Sequence, residues 1–133
     1  RFGSEEAHKA NVVMFLTIGT GIGSALFVEG KLLQNTELGH MLLGKHEVEE
    51  YASAAVKTRE KLTWKQWAVR FNEGLKAYEF LFSPDIFILG GGVSARFDKF
   101  SKYLTVKTKV IPAKLENLAG IIGAAVAAQE KLK

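Results

Sequence analysis

Residues 11–30, NVVMFLTIGTGIGSALFVEG, decide how this chain begins to fold. The run VVMFLTI is apolar without alternation, the pattern of a strand covered on both faces. Gly19, Gly21 and Gly23 then interrupt it, and SALFV restores a β-forming stretch that ends at Gly30. KLL follows as the start of a third strand. Strand, glycine turn, strand, strand predicts an antiparallel opening.

The same glycines carry a chemical question. A P-loop ends in Gly-Lys-Ser/Thr, and no such triplet occurs in the chain. A dinucleotide fingerprint needs a helix after its glycines, whereas SALFV is strand-forming. Two readings stay open: a tight structural hairpin, or a hairpin whose backbone N–H groups face an oxyanion. In the second, the hydroxyls of Thr17, Thr20 and Ser24 add donors. A second cluster, Gly90, Gly91 and Gly92, ends the apolar run DIFIL, where an α/β sheet tends to place its ligand; a helix-entry turn is the other reading.

Two helices are predicted between the clusters. HEVEEYASAAVKTREKL (46–62) is acidic early and basic late, as the helix dipole favours. TWKQWAVRFNEGLKAYEFLFSP (63–84) opens with the Thr63/Gln66 capping pattern and closes at Pro84. Its Trp64, Trp67, Phe71, Leu75, Tyr78 and Phe82 recur every three or four residues, which core packing explains without a ligand. Then come ARFDKFSKYL (95–104) as a short helix and TVKTKVIPA (105–113) as a strand. NLAGIIGAAVAAQEKLK (117–133) reads as an alanine-rich closing helix capped by Asn117. The order mixes antiparallel strands with βα units, so the fold class is α/β, one mixed sheet covered by helices.

Composition bounds the rest. The 133 residues suffice for one core, and 47% hydrophobic with 24% charged is the balance of a globular chain. Without cysteine there is neither a disulfide nor a thiolate metal site. No apolar run approaches the ~20 residues of a membrane span. The net charge of +4 mildly favours anionic partners, or is simply a basic surface. NTELGH (35–40) places Glu37 and His40 after an apolar strand, a pair able to hold vicinal hydroxyls; Glu49 and Glu50 follow at a helix start.

Taken in order, TIGTGIGSALFVEGKL, NTELGH, EEYAS, PDIFILGGGVS and NLAGIIGAA resemble the ROK family of sugar kinases. Most members follow the Glu-x-Gly-His motif with a cysteine-rich zinc loop. Here MLLGKHEVEEYAS stands in its place, which resembles the polyphosphate glucokinase branch, with no structural zinc expected.

The resemblance implies a single ribonuclease H-like lobe of the actin and hexokinase type, the C-terminal lobe of a sugar kinase, over residues 1–133. It implies phosphate transfer from polyphosphate or ATP, with Mg2+, to the 6-hydroxyl of glucose. It places Glu37, His40 and Glu49 on the sugar. It places Gly19, Thr20, Gly21, Gly23, Gly91 and Gly92 on the donor phosphates or nucleoside. The family's general base is an aspartate in an Asn-Asp pair, and this chain has none. Asp85 and Asp98 sit in other contexts. The chain is therefore expected to be a trimmed or partial kinase, inactive alone, with no catalytic residue and no metal ligand of its own. Lys99, Lys102, Lys107, Lys109 and Lys114 form either a polyphosphate track or a solvated face. The setting expected is cytoplasmic, without nucleic acid or membrane, and self-association through the closing helix or a homodimer is expected. The alternative is a non-catalytic, sugar-binding regulatory module of the same family.

Overall fold

The computed structural model describes residues 11–33 and 36–114. The lead-in before residue 11 and the predicted closing helix over 117–133, with Asn117 as its expected cap, lie outside them. Strands β1 (Val12–Ile18), β2 (Ile22–Val28), β3 (Lys31–Leu33), β6 (Ile86–Gly90) and β7 (Lys109–Pro112) form one sheet in the order β3-β2-β1-β6-β7. β1 pairs antiparallel with β2 and parallel with β6, and β6 pairs parallel with β7. The antiparallel opening and the mixed sheet match the sequence reading.

β1 is buried on both faces because its side chains alternate into two cores. Met14, Leu16 and Ile18 join Leu26, Phe87 and Leu89 under the helices. Val13 and Phe15 join Phe27, Ile86 and Ile88 on the opposite face. The long helix α3 (Trp64–Phe82) lays Trp67, Phe71, Leu75 and Tyr78 into the first core, each fully buried. Its capping box forms as expected: Gln66 N–H donates to Thr63 Oγ1 at 3.1 Å, and Thr63 N–H to Gln66 Oε1 at 2.9 Å. Ser83, left-handed at φ 45°, and Pro84 end it.

Three segments differ from the sequence reading. The predicted helix over 46–62 is a strand and two helices. Residues 42–47 form a small hairpin of β4 (Leu42–Leu43) and β5 (His46–Glu47); α1 (Val48–Ala52) and α2 (Ala54–Arg59) follow. Ser53 breaks them: its backbone is extended, and its hydroxyl accepts the Val56 N–H at 3.2 Å. A serine inside a helical pattern is also a cap signal, and here capping prevails because Ala54 and Ala55 N–H are drawn to the Gly19 carbonyl.

The expected strand over 105–113 is only β7. Residues before it are held by α3 instead: Thr105 exchanges two hydrogen bonds with Asn72, and Thr108 N–H and hydroxyl both donate to Glu79. The segment 95–104 contains helix α4 (Phe97–Phe100) between two 3₁₀ turns, and Phe100 is fully buried against Trp64 and Trp67.

Candidate functional site

β1 and β6 run parallel with Thr17 beside Gly90, so the two glycine clusters meet at one end of the sheet. A cleft of about 410 Å³ opens there, lined by residues 17–23 of the β1–β2 turn, Glu37, Glu49 and Gly91. Gly91 is required twice over. Its φ of 85° suits glycine, and a Cβ would stand 2.5 Å from the Ile18 carbonyl oxygen. Ser94 Oγ donates to the Gly91 carbonyl at 2.7 Å and fixes the turn. Gly92 is exposed and is not among the residues lining the cleft.

The β1–β2 turn is braced from behind. Gly19 N–H donates to the Gly21 carbonyl at 2.9 Å, and the Gly19 carbonyl accepts from Ala54 and Ala55 at the start of α2. Ile22 N–H donates to Glu49 Oε1 at 3.1 Å. Among the described residues, the Thr20 and Gly21 N–H groups meet no acceptor. The exposed Thr17 and Thr20 stand beside them at the cleft. Ser24, counted as a possible donor from sequence, serves structure instead. Its hydroxyl donates to the Thr36 carbonyl at 3.0 Å and accepts from Leu38 N–H at 3.2 Å.

That bracing brings in residues 36–40. Leu38–His40 form a 3₁₀ turn. The turn lies so close to β2 that a Cβ on Gly39 would meet the Ile22 carbonyl oxygen at 2.2 Å. Tyr78 on α3 donates its hydroxyl to the Leu38 carbonyl at 2.6 Å, and burial pushes that phenol well above its usual range. Glu37 is thereby exposed at the cleft, with His40 beside it. His40 Nε2 is 3.9 Å from Glu37 Oε2, and Nδ1 is 3.9 Å from Glu49 Oε2.

The three residues expected on a sugar therefore converge from two segments, the turn at 37–40 and the start of α1. A fourth, Glu47, was not expected. Its Oε1 is hydrogen-bonded to His40 Nδ1. That bond and its charge raise the His40 pKa above 6.5, and the charges of Glu49 and Glu37 add to the effect. The sequence held Glu47 inside a presumed helix; only the β4–β5 hairpin turns it toward His40. Tyr78 was counted as core, and its hydroxyl's role was invisible to spacing.

The remaining candidates lie elsewhere. Asp85 accepts the Asn11 and Val12 N–H groups at the start of β1. Asp98 is exposed on α4. None of Lys99, Lys102, Lys107, Lys109 and Lys114 lines the cleft; Lys102 lies over the Tyr103 ring. A second hollow of about 450 Å³ lies behind Thr20 and Glu49, with His46, Glu50 and Arg59 in its wall. Among the described residues no group of three or more acidic, histidine or cysteine side chains is arranged to hold a metal, and no helix is long and apolar enough to cross a membrane.

No known family profile matches the chain. The polyphosphate glucokinase of Mycobacterium tuberculosis is 44% identical over 127 residues, 96% of this chain and 48% of the relative. That of Mycobacterium leprae is 40% identical, again over 96% of this chain, and 39% of the relative. Among solved structures, an inorganic polyphosphate/ATP-glucomannokinase from Arthrobacter sp. strain KM matches with a TM-score of 0.79 at 43% identity, over 91% of this chain and 48% of that one. A ROK family glucokinase from Streptomyces griseus, solved with glucose and AMPPNP, shares the fold at a TM-score of 0.69 and 22% identity, over 92% of this chain and 62% of that one. The chain spans about half the length of the curated relatives it matches. Over most of its length the chain is thus similar in sequence to about half the length of the polyphosphate glucokinases, and in fold to the solved glucomannokinase and ROK glucokinase.

Proposed function

We propose that this chain is the C-terminal lobe of a glucokinase that transfers phosphate from polyphosphate or ATP to the 6-hydroxyl of glucose. The observation that carries the reading is the convergence of Glu37, His40 and Glu49 beside a glycine turn with two N–H groups that meet no acceptor among the described residues. Carboxylate and imidazole side by side hold vicinal hydroxyls, because one accepts while the other donates or accepts. Phosphoryl transfer asks for positioning and charge stabilisation more than covalent chemistry. Glu37, His40 and Glu49 hold the ring so that one hydroxyl faces the turn. The Thr20 and Gly21 N–H groups and the threonine hydroxyls face the donor phosphate and stabilise its charge in transfer.

Two parts of the reaction come from outside these residues. The proton acceptor for the sugar hydroxyl is one, since Asp85 is spent on β1 and Asp98 does not line the cleft. Magnesium is the other: the described residues do not form a metal cage, so the ion would be carried by the donor and would supply charge neutralisation there. Exposed Phe80 and Leu81 at the end of α3 support association with a further lobe or a second copy.

The test is a product assay with both donors. The 133-residue chain alone gives no glucose 6-phosphate, and the intact protein that carries it does. Product from the isolated chain overturns the assignment of the base to other residues. No product from the intact protein with either donor overturns the kinase reading.

A further inference from the structure

The two ring nitrogens of His40 have different surroundings. Nδ1 is hydrogen-bonded to Glu47 Oε1, while Nε2 lies on the Glu37 side of the site. Glu47 is held in place from two directions. In the β4–β5 hairpin it pairs with Leu42, and the next residue, Val48, donates its N–H to the Met41 carbonyl at 2.9 Å. At the start of α1 its own N–H donates to Glu50 Oε1 at 3.1 Å. Its side chain is 32% exposed, against 77% for Glu37. The hairpin thus supplies a held carboxylate beside a more exposed ring.

We infer that Glu47 is a positioning residue, whose carboxylate keeps a proton on His40 Nδ1 and turns Nε2 toward the ligand that Glu37 also faces. The partner of one imidazole nitrogen sets the state of the other. With Nδ1–H donated to Glu47, Nε2 is an acceptor when the ring is neutral and a donor when it is protonated. A carboxylate behind a binding histidine fixes tautomer and orientation without touching the ligand. The inference rests on the sugar-site reading for the ligand, and on geometry alone for the hold on His40. A merely structural Glu47, acting only at the start of α1, would alter stability and leave the imidazole unaffected.

The test reads the ring directly. In the intact protein with 15N-labelled histidine, long-range 1H–15N spectra report which His40 nitrogen carries the proton and where the ring titrates. The signals are assigned by their loss in His40→Gln. The wild type shows a protonated Nδ1. Glu47→Ala releases that proton preference and lowers the titration midpoint, because among the described residues the remaining facing charges are Glu37 and Glu49. Glu47→Gln, which keeps an acceptor and loses the charge, lowers the midpoint and retains the Nδ1 proton. The glucose KM rises about tenfold in Glu47→Ala and less in Glu47→Gln, with kcat changing less than KM. An unchanged tautomer and midpoint in Glu47→Ala overturn the inference; if that variant does not fold, an unchanged midpoint in Glu47→Gln does so. A ring that responds while the glucose KM stays fixed overturns the sugar site and leaves the Glu47–His40 pairing standing.

Discussion

The buried face of α3 and the rim of the cleft are built on opposite terms. Trp67, Phe71, Leu75 and Tyr78 are fully buried and owe their places to helical spacing and volume. Glu37, His40, Glu47 and Glu49 keep 30–77% of their side-chain surface exposed, and owe their places to hydrogen bonds between distant segments. The first is redundant: many apolar contacts share one task. The second depends on single atoms. The two meet at three bonds. Trp67 Nε1 donates to the Ala52 carbonyl at 2.8 Å, Arg70 to the Tyr51 carbonyl at 3.2 Å, and Tyr78 to the Leu38 carbonyl at 2.6 Å. The rim is therefore positioned by polar tips of a helix whose body is core.

The largest effect belongs to the core side. Trp67→Ala empties the center of the aromatic cluster and abandons the Ala52 carbonyl, so denaturant unfolding should show a loss of about 3–5 kcal/mol. A loss below about 1 kcal/mol would mean the cluster is not the core it resembles. Next is Gly39→Ala, which forces the 3₁₀ turn off β2. About 1–3 kcal/mol should be lost, with a disproportionate loss of sugar binding by titration calorimetry. If stability falls and binding holds, the close approach of the turn to β2 does not set the site.

Tyr78→Phe sharpens the comparison, since it keeps the ring and removes only the tip. It should cost about 1–2 kcal/mol, and it should weaken sugar binding because Glu37 and His40 lose their anchor. The smallest effect concerns pH. Hydrogen bonds from Thr108 hold the Glu79 carboxyl below its ordinary value. Its contribution is complete above about pH 4.5 and is lost as the pH falls through the depressed value. His40 has the opposite sign: raised above 6.5, its pairing stabilises below that pH and fades as the pH climbs through the raised value. Stability–pH profiles of Glu79→Gln and Glu47→Gln should each lose one of these limbs.

Legibility in the sequence followed the same division. The apolar run 12–18, the α3 stripe, its capping box and the buried strand of DIFIL were readable because burial and capping act locally on spacing. Glu37 and His40 were readable as candidates because their residue types suit hydroxyl binding, and Glu49 through the family resemblance. The hairpin at 42–47 was not, because two-residue strands leave no periodic trace. The break at Ser53 was not, because what decides it is the Gly19 carbonyl, 34 residues away in the chain. Glu47 and the Tyr78 hydroxyl fell in the same gap: each acts through a partner that only the fold supplies.

The central claim is that Glu37, His40 and Glu49 hold a sugar against the glycine turn, and Glu37→Gln in the intact protein tests it most directly. Glu37 is largely exposed, so the melting temperature should stay unchanged. The glucose KM should rise about ten- to a hundredfold, the loss expected for one charge-assisted hydrogen bond. An unchanged KM and kcat for glucose, in a variant as stable as the wild type, would contradict the account.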